Sequence, residues 1–174
     1  MAGLPDGITL DDHRDLRGRA RYVWVRRGLL CAISALPVLA LLDVFGQKPL
    51  TSSAAGPAAR LSVTAPERLR SGLVFQVEVE VDARRDIRQL RLEFTEGWWE
   101  SMSVNSIVPE PEGEDSERGR VQLTYGNLRA GESLVSRIYF QVNPTNVGKR
   151  REDVILADGE TPLLTVERSL TIFP

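Results

Sequence analysis

The chain has 174 residues with 22 basic and 24 acidic side chains, so its net charge of −2 offers no basic surplus for nucleic acid. It contains one histidine, His13, and one cysteine, Cys31. Zinc sites and histidine-activated nucleophiles need several such side chains close together, and a disulfide needs two cysteines. We therefore expect no enzyme activity, no cofactor and no metal site.

An apolar segment from 28 to 46, GLLCAISALPVLALLDVFG, follows a charged tail of residues 1–27. As a helix this segment would be about 28 Å long, close to the ~30 Å hydrocarbon core of a bilayer. Six arginines precede it, whereas only Lys48 follows it closely. The length and apolar composition therefore predict a transmembrane helix in the plasma membrane. The positive-inside rule predicts that its N-terminus is cytoplasmic and that the rest of the chain lies outside.

Two alternatives to a retained anchor stay open for this segment. One is a buried helix of a soluble domain, although the segment lacks the polar stripe that such helices show. The other is a cleaved signal peptide, because Arg26 and Arg27 resemble a twin-arginine export motif and small residues stand at 53–55 and 57–59. Those small residues lie roughly ten positions beyond the apolar run, which favours the anchor.

Within the predicted membrane helix, small side chains would let another helix approach closely. We predict this lateral contact at Ala32, Ser34 and Ala35. Asp43 stands near the outer end, where its carboxylate either reaches the headgroup region or meets a basic group of a partner. Residues 47–59, QKPLTSSAAGPAA, have the composition of a spacer that separates the membrane from a folded domain.

From residue 60 to 174 the apolar residues alternate with polar ones, which is typical of strands with one buried face. The pattern is clearest between Leu73 and Val81 and between Leu134 and Val142. It recurs in shorter runs at 61–65, 88–94, 102–108, 121–125, 154–156, 163–166 and 170–172. Asp158 and Gly159 favour a hairpin turn. Seven to nine such strands predict an antiparallel immunoglobulin-like β-sandwich, with an up-and-down barrel as the alternative.

The turn sequence LRAGE at 128–132, the following long strand and the corner VNPT at 142–145 with Gly148 resemble the later half of bacterial immunoglobulin-like surface modules, of the cell-adhesion-related and fibronectin type III-like kinds. Leu90 to Trp98 is similar to the middle of the same modules. The resemblance covers roughly Arg60 to Phe173. It implies the sandwich fold and carries no catalytic residues, because these modules share none.

An acidic segment at 110–117, EPEGEDSE, holds five carboxylates. It is interpreted as a solvated loop, with calcium binding as the alternative, because clustered carboxylates suit hard cations. Trp98 and Trp99 are adjacent, and neighbouring strand residues point to opposite faces, so we expect one in the core and the other exposed or covered by a loop. Large exposed aromatic residues are typical partner contacts, which makes Trp98, Trp99 and Tyr139 the candidates.

Two functions from different classes fit these observations. The favoured one is a membrane-anchored, non-enzymatic interaction protein whose exported domain binds or stabilises a membrane or cell-envelope protein. Anchoring supports it, because a tether raises the effective concentration for a membrane neighbour. The alternative is an exported module that binds a carbohydrate or another surface ligand.

Overall fold

The computed structural model describes residues 19–42 and 47–174. These residues form two compact units, one on each side of the gap. The first unit is helix α1 (Arg19–Leu41), which contains Pro37 and no acidic residue in its first turn. None of the side chains in its apolar stretch, Arg21–Leu41, is buried, and the stretch is long and apolar enough to cross a membrane, as a signal sequence also would be. The helix begins nine residues before the predicted segment, and Asp43 lies outside the described residues.

The second unit contains thirteen strands and one short 3-10 helix, Glu96–Trp98. In chain order the strands are β1 (Pro49–Ala55), β2 (Ala59–Pro66), β3 (Arg68–Arg70), β4 (Val74–Ala83), β5 (Leu90–Phe94), β6 (Met102–Val108), β7 (Gly113–Glu117), β8 (Arg120–Thr124), β9 (Ser133–Val142), β10 (Gly148–Arg151), β11 (Val154–Asp158), β12 (Thr161–Val166) and β13 (Ser169–Phe173). They form three sheets: sheet 1 in the order β1-β2-β4-β9-β6, sheet 2 in the order β12-β11-β5-β8-β7, and a three-stranded end sheet in the order β10-β13-β3.

Sheets 1 and 2 face each other across one apolar core, which confirms the predicted antiparallel β-sandwich. All strand pairs are antiparallel except β13 with β3. Alternation along β4 buries every second residue from Phe75 to Val81. Buried core residues come from sheet 1 (Leu61, Val79, Phe140), sheet 2 (Leu92, Phe94, Leu156) and the end sheet (Leu69, Leu170, Ile172).

The end sheet lies where several strands of the sandwich start or stop. Strand β3 fills the interval between the end of β2 and the start of β4, and β13 follows directly after β12. Pro49, the first residue of β1, pairs with Pro66, the last residue of β2. The chain therefore enters the sandwich at this same end, which we call the capped end.

The segment 47–59, predicted as a spacer, instead contains strand β1. Its seven residues pair in continuous antiparallel register with β2, from Pro49 opposite Pro66 to Ala55 opposite Arg60. The sequence prediction was wrong because small Ser and Ala residues give little hydrophobic alternation. What stabilises β1 is its ladder with β2 and contacts from residues far along the chain.

Two further predictions require correction. The acidic segment 110–117 is not a loop throughout, because Gly113–Glu117 forms β7 and pairs with β8 through a turn with positive φ at Arg118 and Gly119. Trp98 ends the 3-10 helix and Trp99 is its C-terminal cap, so the pair is not on a strand. The rule that neighbouring residues point to opposite faces of a sheet therefore does not apply to them.

Candidate interaction surfaces

Trp98 is a core residue with no exposed surface. Its ring stacks on Phe140 at 5.8 Å between centroids and meets the ring of Phe94 edge-on at 5.9 Å. Its indole Nε1–H donates a hydrogen bond of 3.2 Å to the backbone oxygen of Asp153. A buried indole with its polar group satisfied is a structural anchor, so Trp98 is corrected from a partner contact to a core residue.

Trp99 is half-buried, and it packs edge-on against both Phe94 and Phe140. Tyr139, also half-buried, is the residue before Phe140 on β9 and therefore points to the outer face of sheet 1, where it lies opposite Gln76 and Ser106. The structure brings the two tryptophans together and keeps Tyr139 apart from them. These aromatic residues thus do not form one flat platform.

Next to Trp99, one side of the sandwich is open. The edges there are β6 of sheet 1 and β7 of sheet 2, and we call this side the open flank. A groove of about 510 Å³ lies at the end of this flank away from Trp99, by the connection from β6 to β7, and is lined by Ser106, Ile107, Glu110, Glu112 and Glu114. Val104, whose partner in β9 is the buried Phe140, remains 37% exposed because no strand covers it from the other side.

The opposite side of the sandwich is closed. A Cβ atom added at Gly56, in the turn between β1 and β2, would lie 2.9 Å from Cδ2 of Leu164 on β12. Leu163 and Leu164 also pack against the core. The two sheets therefore contact each other along β1 and β12.

Strand β6 differs from the other sheet edges of the described structure in its composition. Its sequence, MSVNSIV, has no charge and no proline. In contrast, β7 carries three acids, β10 and β3 are short and basic, and β1 and β12 contain proline. Charge, proline, shortness and β-bulges protect an edge against added strands. Of these, β6 has only the register shift beside Asn105.

Beneath the end sheet lies a buried cluster of polar side chains that the sequence did not predict. Arg168 is 6% exposed and binds three backbone oxygens, those of Leu50 at 2.9 Å, Val63 at 2.8 Å and Ala65 at 2.6 Å. Its backbone N–H donates to Oδ1 of Asp153. One guanidinium thus connects the start of β13 to β1 and β2. No local pattern could have indicated this, because its partners stand more than a hundred residues away.

Glu152 is the most deeply buried charge of this cluster, with 1% of its surface exposed. Burial raises the pKa of Glu152 to about 8, against the opposing effect of the positive charges of Arg168 and Arg150. Its Oε1 atom has no hydrogen-bond partner. A buried acid with a raised pKa can mark a catalytic group. Glu152 lines neither the groove at the open flank nor the groove at the end sheet, and its position under the end sheet gives it a structural role.

Within the described residues, no group of three or more His, Cys, Asp or Glu side chains is placed to hold a metal ion. On α1, the predicted contact residues Ala32, Ser34 and Ala35 have exposed side chains. Of these, Ala32 and Ala35 are three residues apart and so share a helix face. They remain available for the predicted lateral contact.

No protein-family model matches the chain, and no curated protein matches it. Among solved structures it is similar to a non-cellulosomal cohesin from the archaeon Archaeoglobus fulgidus (12% identity, 61% of this chain, 85% of that chain, TM-score 0.39). It is also similar to CaCohA2 from Clostridium acetobutylicum (13%, 64%, 88%, TM-score 0.44) and to the third cohesin ScaC, in complex with the ScaB dockerin, from Acetivibrio cellulolyticus (12%, 61%, 93%, TM-score 0.41). These are resemblances of fold at low sequence identity.

Proposed function

We propose that this protein is a single-pass, membrane-anchored, non-enzymatic interaction protein whose extracytoplasmic β-sandwich binds a protein of the membrane or cell envelope. The observation that carries the proposal is the position of β1. The small residues that a signal peptidase could cut, 53–55 and 57–59, lie within β1 or at the turn and start of β2. Cleavage there would remove a paired strand and the Leu50 oxygen that Arg168 binds. A retained helix α1 is consistent with an intact β1.

The partner surface that we favour is the open flank beside Trp99. Backbone groups on the free side of β6 can pair with an extended segment of another chain, and β-strand addition is a common mode of peptide recognition. The acids of β7 and the groove would favour basic residues on that segment. The position of Tyr139 on the other face argues against the carbohydrate alternative, because sugar rings bind to several aromatic residues that share one surface.

Chemical crosslinking in native membranes, followed by purification of the full chain in mild detergent, tests this proposal. We compare the wild type with Val104→Lys, which places a charge on the inner side of β6 at the open flank, and with Ser53→Lys on β1 at the closed side. A membrane protein that is captured by the wild type and by Ser53→Lys, but lost with Val104→Lys, is the expected result. Capture that is equal in all three variants would reject the open flank.

A further inference from the structure

The exposed face of the end sheet is basic. The register places Lys149, Thr171 and Arg68 side by side, with Arg151 opposite Ser169 and Arg70 opposite Phe173. Alternation along these strands turns Leu69, Leu170 and Ile172 into the core and leaves the other face outside. Lys149, Arg151, Arg68 and Arg70 are all exposed, and we call this surface the basic face.

Most of the positive charge on the basic face is not neutralised within the described structure. Arg151 pairs with Asp153 at 2.7 Å and with Glu167 at 3.0 Å. Arg70 donates only to the backbone oxygen of Pro174, and neither Arg68 nor Lys149 forms an ion pair among the described residues. A groove of about 580 Å³ crosses this region, and its remaining exposed acid is Glu67.

Exposed apolar side chains concentrate at the same end of the molecule. Between residues 47 and 174, six large apolar side chains are exposed, and four of them are at the capped end: Leu50, Leu73, Val74 and Val147. Leu73 lies beside the end sheet, because its neighbour Ser71 donates a backbone hydrogen bond to Phe173. Val147 immediately precedes β10. Cations bordered by exposed apolar groups are what the headgroup region of an anionic bilayer attracts.

The chain also enters the sandwich at this end. Only six residues stand between Leu42, just beyond α1, and Pro49, so even a fully extended connection spans at most about 25 Å. Pro49 pairs with Pro66, which is two residues before Arg68. If α1 is inserted in a bilayer, a connection of this length keeps the start of β1 within reach of the headgroups.

We propose that the basic face binds anionic phospholipid headgroups of the membrane that holds α1. This inference rests on the proposed membrane anchor and adds a lipid contact to it. Binding there would hold the sandwich with its capped end on the bilayer. The open flank would then face sideways, toward a neighbouring membrane protein.

The test uses the full chain in lipid nanodiscs, with Cys31→Ser and a single fluorescent label at Ser169→Cys on the end sheet or at Ala130→Cys at the opposite end. Discs contain a lipid with a nitroxide quencher in its headgroup, together with phosphatidylcholine alone or with about 30% phosphatidylglycerol. We expect quenching at position 169 to rise with phosphatidylglycerol and to fall by about half in ~0.5 M salt, while position 130 changes little.

Charge reversal supplies the matched comparison. Arg68→Glu with Lys149→Glu should abolish the effect of phosphatidylglycerol, whereas Arg85→Glu with Arg129→Glu, the same charge change at the far end, should preserve it. Should the first pair fail to fold, Arg68→Gln with Lys149→Gln replaces it. If the chain enters the discs but quenching at position 169 does not depend on phosphatidylglycerol, the lipid contact of the basic face is wrong and the anchor is unaffected. A chain that does not enter the discs would overturn the anchor and this inference together.

Discussion

At the scale of single residues, Trp98 is fully buried and Trp99 is half-buried, so alanine at the two positions should lower stability by different amounts. Trp98→Ala removes a fully buried ring and a hydrogen bond to Asp153, so it should lower the free energy of unfolding by about 3–5 kcal/mol. Trp99→Ala removes a half-buried ring and should cost less than about 2 kcal/mol. Urea unfolding followed by circular dichroism measures both values.

The same two variants also address binding. A folded Trp99→Ala chain that no longer captures the crosslinked partner would place Trp99 in the contact. If both variants unfold equally, Trp99 belongs to the core as fully as Trp98, and the contact would have to lie elsewhere on the open flank.

Glu152 gives the molecule a predictable dependence of stability on pH. The folded pKa of about 8 lies above the ordinary value of 4.5, so the folded state holds this proton more tightly than the unfolded state does. The resulting stabilisation is complete below pH 4.5 and is lost as the pH rises through about 8. Thermal unfolding between pH 5 and 9 should therefore show a decline that Glu152→Gln removes.

At pH 9 the Glu152→Gln variant should exceed the wild type in free energy of unfolding by about 1–3 kcal/mol, because a neutral amide avoids the cost of burying an ionised carboxylate, which outweighs the attraction of Arg168 and Arg150. Glu160→Gln, which changes an exposed acid, provides the control and should leave the profile as it is in the wild type. If stability still declines steeply with pH in Glu152→Gln, another titrating group causes the decline.

At the scale of elements, the 3-10 helix packs so closely on β10 that only glycine fits at position 97. A Cβ atom there would overlap the backbone oxygen of Arg151, which cannot move without disturbing the end sheet. Gly97→Ala should therefore lower the free energy of unfolding by about 2 kcal/mol or more. Gly113→Ala is the matched control, since the nearest atom to its Cβ is 3.9 Å away in Thr124. Denaturant midpoints that fall equally for both would contradict this close contact.

The elements that the sequence predicted are those whose own side chains face the core. Strands β4 and β9 alternate regularly over ten residues each, and their burial follows the alternation. Strands β1 and β7 have few apolar residues, and pairing with a neighbour defines them. Period-two patterns detect burial, so they missed the short strands β3 and β10, and β1 and β7 were described as spacer and loop.

At the scale of the whole molecule, the sandwich was predictable and its surfaces only partly so. The sequence indicated that the Trp pair was important, but Trp98 proved to be core and Tyr139 lies on a separate face. The basic face combines residues from β3, β10 and β13, which are distant in the chain and meet only through the end sheet. Such a surface has no local signature, because the topology creates it.

The orientation of the whole chain in the membrane can be tested by labelling single cysteines. Arginines before the apolar part of α1 predict a cytoplasmic N-terminus, and the position of β1 argues for an uncleaved chain. In a Cys31→Ser background, Asn127→Cys, exposed on the sandwich, should react with a membrane-impermeant maleimide in intact cells, whereas Thr9→Cys should react only after lysis. The labelled chain should keep its full mass of 19.4 kDa and resist extraction by alkaline carbonate. If Thr9→Cys reacts in intact cells and Asn127→Cys only after lysis, the orientation is the opposite one. Loss of the residues before β1 would identify α1 as a signal sequence.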